Sequence, residues 1–169
     1  MEAALAKILI VDDEINQRTA LERVIARWGH DLMFVFLCVG ISGIVTDMIK
    51  PILGRARPVE WVRDAAYGFH PLTFQAAWNG MPSGHATTAA SLALVLIVLF
   101  PRGRVVWILL ALLLAGSRVM VNAHYLSDVF AGCAVGLLTT LLILRHRTIK
   151  GKFPLEKGIF PIDKRPENP

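Results

Sequence analysis

Four long apolar runs crowded between residues 32 and 144 constrain this chain more than any other feature. They are 32–49 (LMFVFLCVGISGIVTDMI), 84–100 (GHATTAASLALVLIVLF), 105–123 (VVWILLALLLAGSRVMVNA) and 128–144 (DVFAGCAVGLLTTLLIL). Each is near the roughly 17 to 25 residues that a helix needs to cross a bilayer. The competing arrangement is a soluble all-α protein that buries the same helices. It would leave little amphipathic surface to face water. Composition favours the bilayer, since 54% of the residues are apolar and 18% charged, against about 25% charged in an average soluble domain. With 13 Gly, 9 Pro and 2 Cys, a collagen, a disordered chain and a disulfide scaffold are excluded. Cys38 and Cys133 lie inside apolar runs and read as packing side chains. No cleavable signal peptide is visible in the first thirty residues, which carry Asp12, Asp13, Glu14, Arg18, Glu22, Arg23 and Arg27.

Basic residues next to the spans set an orientation. Arg18, Arg23 and Arg27, the turn with Arg102 and Arg104, and the tail with Arg145, Arg147, Lys150 and Lys152 share one side, which reads as cytoplasmic. Lys50, Arg55, Arg57 and Arg63 fall on the opposite, exoplasmic side. The loop 59–81 there carries Trp61, Tyr67, Phe69, Phe74 and Trp78, residues that favour the headgroup layer. His70 reads as an interfacial side chain. Gly132 and Gly136 form a GxxxG, a close-packing face on the last span. The net charge of +5 suits nucleic acid, anionic lipid or a phosphorylated substrate, so position has to decide among them.

Three clusters converge on the exoplasmic side: Lys50 to Arg57-Pro58, then Pro82-Ser83-Gly84-His85, then Ser117-Arg118 with His124 and Asp128. Charged and imidazole groups at membrane depth are costly unless paired, hydrated or functional. Lys50, Arg57 and Arg118 would offer positive charge to a tetrahedral oxyanion such as phosphate. Ser83 and Gly84 open a helix, where unpaired backbone N–H groups also favour an anion. His124 and Asp128 are four apart, on one face if helical, so the carboxylate can accept from one ring nitrogen and leave the other to attack phosphorus. His85 would protonate the leaving group.

These clusters resemble the three-part signature of the type 2 phosphatidic acid phosphatase family, the membrane lipid phosphatases related to vanadium-dependent haloperoxidases. The forms KxxxxxxRP, PSGH and SRxxxxxHxxxD match at Lys50, Arg57 and Pro58; at Pro82 to His85; and at Ser117, Arg118, His124 and Asp128. The resemblance implies an all-α integral membrane bundle of about four transmembrane helices that hydrolyses lipid phosphate monoesters or diphosphates, of the phosphatidate, phosphatidylglycerophosphate or polyprenyl diphosphate class. It implies no cofactor and no metal. It assigns a phosphohistidine to His124, the acid to His85, support of the nucleophile to Asp128, and phosphate binding to Lys50, Arg57, Ser83, Gly84 and Arg118. The expected partners are the lipid phosphate and the bilayer, without nucleic acid, and a homo-oligomer is left open. The expected location is a bacterial inner membrane with the site on its periplasmic face.

Residues 7–28 read differently. KILIVDDE followed by an amphipathic stretch resembles the first strand and helix of a response-regulator receiver domain, whose acidic pair, here Asp12 and Asp13, helps hold Mg²⁺. The expected domains are a receiver-like or amphipathic segment over 1–30, the phosphatase domain over 31–148, and a cytoplasmic tail over 149–169. Members of the family have six spans against the four counted here. Two alternatives follow: a truncated inactive hybrid, or a non-catalytic receiver-like signalling or scaffold protein.

Overall fold

A computed structural model describes the backbone of residues 2–149 and the side chains of 17–26 and 28–146. All of its regular structure is helical, apart from one isolated bridge between Arg55 and Phe69. The principal helices are α1 (Glu2–Leu53), the short α2 (Pro58–Asp64), α3 (Gly84–Leu99), α4 (Arg104–Met120) and α5 (Leu126–Ile149). The chain falls into two compact units that divide between Phe36 and Leu37. In the first, the backbone is helical through KILIVDDE, where the receiver-like reading expected a strand. A short apolar run does not by itself separate strand from helix. The side chains of Asp12 and Asp13 lie outside the described residues, as does the expected tail beyond Ile149.

The second unit holds the remaining elements. Among the described residues, three helical stretches are long and apolar enough to cross a membrane: Gln17–Leu53, Pro101–Met120 and Leu126–His146. The fourth expected span, over 84–100, falls short of that length. The run 84–100 does form a helix, but α3 has only 16 residues, about 24 Å at 1.5 Å per residue, short of the roughly 30 Å hydrocarbon layer. Its burial gives the reason. Ala86, Thr87, Ala89, Ala90, Ser91, Ala93 and Val95 are buried, so α3 is an internal helix packed by both α4 and α5.

Small side chains permit that close packing. A Cβ at Gly132 would fall on the carbonyl oxygen of Ser83, and one at Gly136 on that of Thr87. The GxxxG of α5 is thus the surface that α3 lies against. Ala86, Ala115 and Val129 form the adjoining apolar cluster, with Val119 and Cys133 against it. Neither Cys133 nor the buried Cys38 forms a disulfide. Buried hydroxyls pair across the helices, Thr46 to Thr87 at 2.9 Å and Ser91 to Thr140 at 2.8 Å. The outer side of α4 is exposed at Val105, Ile108, Leu109, Leu112 and Leu113, a contiguous apolar face that water does not tolerate and lipid does.

Candidate active site

The helix ends set the stage. α1 stops because Pro51 cannot continue its hydrogen bonding and Gly54 takes the left-handed conformation, φ 59, with its N–H on the Lys50 carbonyl at 2.8 Å. Gly54 is required twice over, since a Cβ there would strike the carbonyl of His70. The chain then runs through Arg55 and Arg57 with its backbone tied on both sides. His70 N–H donates to Gly54 O at 2.7 Å, Ala56 N–H to Gly68 O at 3.1 Å, Arg57 N–H to Ala77 O at 3.0 Å and Gly80 N–H to Arg55 O at 2.9 Å. The loop 59–81 therefore does more than expose aromatics. It straps the arginine segment in place, while Trp61, Tyr67, Phe69 and Phe74 remain exposed and His70 stacks at 5.4 Å from Trp78.

Ser83 occupies the N-cap position of α3, yet its hydroxyl makes no cap hydrogen bond. Its N–H donates to Asp128 O at 2.9 Å, and its carbonyl accepts from the N–H and hydroxyl of Thr87. The side-chain oxygen is buried without a partner. Arg57 Nε and Arg118 Nε are in the same condition, with Asn79 Oδ1 the fourth such atom among the described residues. A buried polar atom left unpaired costs about 1–3 kcal/mol. Three of these four belong to residues singled out as phosphate ligands, and an oxyanion is the kind of acceptor such donors pair with.

Lys50 points into the same region: its ammonium would lie 3.4 Å from a Cβ placed on Gly84. It is also paired with Asp47 at 2.6 Å, a carboxylate 73% exposed. His85 opens α3 beside these cations. Partial desolvation, then the charges of Arg118, His124 and Lys50, push its imidazole below the usual 6.5. Residues from α1, α4 and the turn before α5 thus act on one imidazole. Ser117, by contrast, spends its hydroxyl on Leu114 O at 2.8 Å within α4.

His124 is 7% exposed and precedes α5, in a turn that Asn122 makes possible with φ 54. It is not in one helix with Asp128, and the geometry between them differs from the simple expectation. Nδ1 of His124 is 2.7 Å from the carbonyl oxygen of Gly80 and 3.8 Å from Asp128 Oδ2. A carbonyl only accepts, so Nδ1 carries a proton, and in the neutral ring it is Nε2 that keeps the lone pair. The fully buried Asp128 carboxylate is taken elsewhere: Oδ2 accepts from Tyr125 N–H at 2.8 Å, in the manner of a capping-box carboxylate, and Oδ1 meets Arg55 Nη1 at 2.7 Å. Arg55 and Gly80 are the contributors that sequence reasoning missed. Arg55 lay within the unread positions of the first cluster, and a glycine carbonyl leaves no side-chain signal.

Comparison with known proteins follows the same residues. A family model described as the PAP2 superfamily matches residues 31–151. A lipid A 1-phosphatase of Rhizobium etli is 38% identical over 141 residues, which cover 79% of this chain and 61% of the relative. One from Rhizobium johnstonii is 38% identical over 135 residues, 75% of this chain and 55% of the relative. A lipid A 4'-phosphatase of Porphyromonas gingivalis is 29% identical over 118 residues, 65% of this chain and 46% of the relative. The chain spans about three fifths of the length of these relatives or less. No solved structure matches it.

Proposed function

This chain belongs to the PAP2 superfamily, and from that premise we propose that it is a membrane lipid phosphatase acting through a phosphohistidine on His124. In this reading residues 31–148 form the catalytic domain, with the site on the exoplasmic face. Nε2 of His124, its lone pair preserved by the Nδ1 contact to Gly80 O, attacks phosphorus. An N–P bond forms as the bond from phosphorus to the leaving oxygen breaks. His85, as imidazolium, gives that oxygen its proton. Water then attacks phosphorus, the N–P bond breaks, His85 takes up the water's proton, and phosphate departs. Lys50, Arg57, Arg118, Ser83 and the N–H of Gly84 hold the equatorial oxygens and stabilise the charge that builds in both transition states. Asp128, close to Nδ1, offsets the positive charge on the phosphorylated ring. With that much positive charge supplied by side chains, no metal is called on.

The observation that carries this reading is the set of buried, unpartnered donors on Arg57, Ser83 and Arg118. The substrate class is a lipid phosphate monoester or diphosphate. The names of the relatives add a phosphorylated glycolipid, lipid A, to the phosphatidate and polyprenyl diphosphate classes.

The test is phosphate release from phosphatidate, a polyprenyl diphosphate and lipid A in detergent containing EDTA, with wild type and His124→Ala side by side. Wild-type turnover on at least one lipid, an acid-labile phosphoenzyme on rapid quench, and a loss on the order of 10³-fold or more in the variant are expected. Strict metal dependence, or full activity in the variant, would refute the mechanism.

A further inference from the structure

Arg55 stands between the two phosphate-binding cations of the first cluster, but its side chain is turned to a different task. Its guanidinium is 14% exposed and lies 2.7 Å from Asp128 Oδ1 and 2.5 Å from Ser127 Oγ. It is centred 4.5 Å from the Tyr125 ring and 5.5 Å from that of Phe69. Its main-chain carbonyl accepts from Gly80 N–H at 2.9 Å. Gly80 in turn receives Nδ1 of His124. One residue therefore reaches the imidazole by two routes, through the carboxylate of Asp128 and through the backbone of Gly80.

We propose that Arg55 is a positioning residue for His124, holding the Asp128 carboxylate off the imidazole so that Nδ1–H stays on the Gly80 carbonyl and the ring keeps its aim. The reasoning is competitive. Asp128 is fully buried, and a buried carboxylate without a cation either takes a proton or rotates to the nearest donor. The nearest further donor is Nδ1 of His124, at 3.8 Å. With Oδ1 claimed by Arg55 and Oδ2 by Tyr125 N–H, the carboxylate keeps its distance. It then acts as fixed negative charge beside the ring, and the tautomer is set by an acceptor that never titrates. Arg55 has no role in holding phosphate, which separates it from Arg57 and Arg118.

The inference rests on the phosphohistidine reading, and its test has two arms that separate the two. The first measures phosphate release from phosphatidate in mixed micelles by the full chain, its Arg55→Gln, Arg55→Lys and Asp128→Asn variants, and the Arg55→Gln/Asp128→Asn pair. Arg55→Gln is expected to lower kcat on the order of tenfold to a hundredfold with KM within about twofold. The pair is expected to be no worse than Asp128→Asn alone, and Arg55→Lys to recover part of the loss. A rise in KM at unchanged kcat would make Arg55 a phosphate ligand, and multiplicative losses in the pair would remove Asp128 from the route. Either result overturns the proposal. The second arm reads the ¹⁵N shifts of His124 in histidine-labelled protein and needs no turnover. An Nδ1–H shift set by a carbonyl acceptor in wild type, displaced toward that of a carboxylate acceptor in Arg55→Gln, is expected. The same Nδ1–H shift in both overturns the proposal, whereas a wild type inactive on every lipid tested overturns the phosphatase reading and leaves this arm standing.

Discussion

The imidazole of His124 hangs from the main chain of Gly80, with Nδ1 donating to that carbonyl at 2.7 Å. A backbone acceptor has no protonation state of its own, so the ring is oriented by a group that pH does not alter. Gly80 is therefore a sensitive position. A Cβ there would lie 2.9 Å from Arg55 O and 3.2 Å from Ala56 O, so Gly80→Ala must shift the backbone that holds the ring. The expected result is a fall in kcat on the order of tenfold to a hundredfold, read by steady-state phosphate release, while the folded protein survives detergent gel filtration. Unchanged kcat would argue that the ring is held by something else.

His85, the proposed acid, carries a pH signature of its own. Desolvation and neighbouring positive charge lower the His85 value below 6.5 because both disfavour imidazolium. A proton donor must be charged to act, so its contribution is present at low pH and lost as pH rises through that lowered value. A plot of kcat/KM against pH should therefore decline on its basic side with a midpoint under 6.5, and His85→Gln should abolish this limb with a kcat loss of about 10²–10⁴-fold. A midpoint above 6.5 would contradict the assignment.

The two glycines of α5 should separate stability from catalysis. Gly132→Ala would press on the carbonyl of Ser83, and Gly136→Ala on that of Thr87, one turn deeper. Each is expected to cost about 1–3 kcal/mol of stability, seen as earlier thermal unfolding in detergent. Only the first displaces the residue whose hydroxyl faces the phosphate in this mechanism, so only Gly132→Ala should also raise KM. Equal kinetic effects from both would show that the disturbance spreads along all of α3.

Asp47 competes for Lys50. The pair is close, 2.6 Å, but the carboxylate is 73% exposed, and such pairs are worth about 0–1 kcal/mol. Asp47→Asn should release the ammonium for substrate, lowering KM by no more than about fivefold, and change stability by less than about 0.5 kcal/mol. A higher KM in that variant would mean that Asp47 orients the lysine instead of diverting it.

The candidate site was legible because it is built from residue types that seldom occur beside apolar runs. Lysine, arginines and two histidines at span ends declare themselves in one dimension. The restraints on them did not, because they are made by groups without a distinctive letter. Gly80 contributes a carbonyl, and Arg55 resembles any other basic residue until the fold brings Asp128 to it. The status of α3 was hidden for a different reason. Apolar content alone does not distinguish a helix facing lipid from one enclosed by other helices. The cue lay in the alanines, serine and threonines of 86–93, which are too small to cover a helix yet suit close approach. The strand expected over KILIVDDE failed on its length, since so short an apolar stretch fits either kind of backbone.

The strap across Arg55 to Arg57 is fastened almost wholly by peptide groups: Gly54 to His70, Ala56 to Gly68, Arg57 to Ala77. Peptide groups are indifferent to the letters that carry them. Outward-facing positions such as Leu72 and Phe74 can therefore be rewritten during divergence while the cations beneath stay put. Under the proposed mechanism, a lineage built this way would vary the surface it shows to lipid without disturbing the residues that act on phosphate.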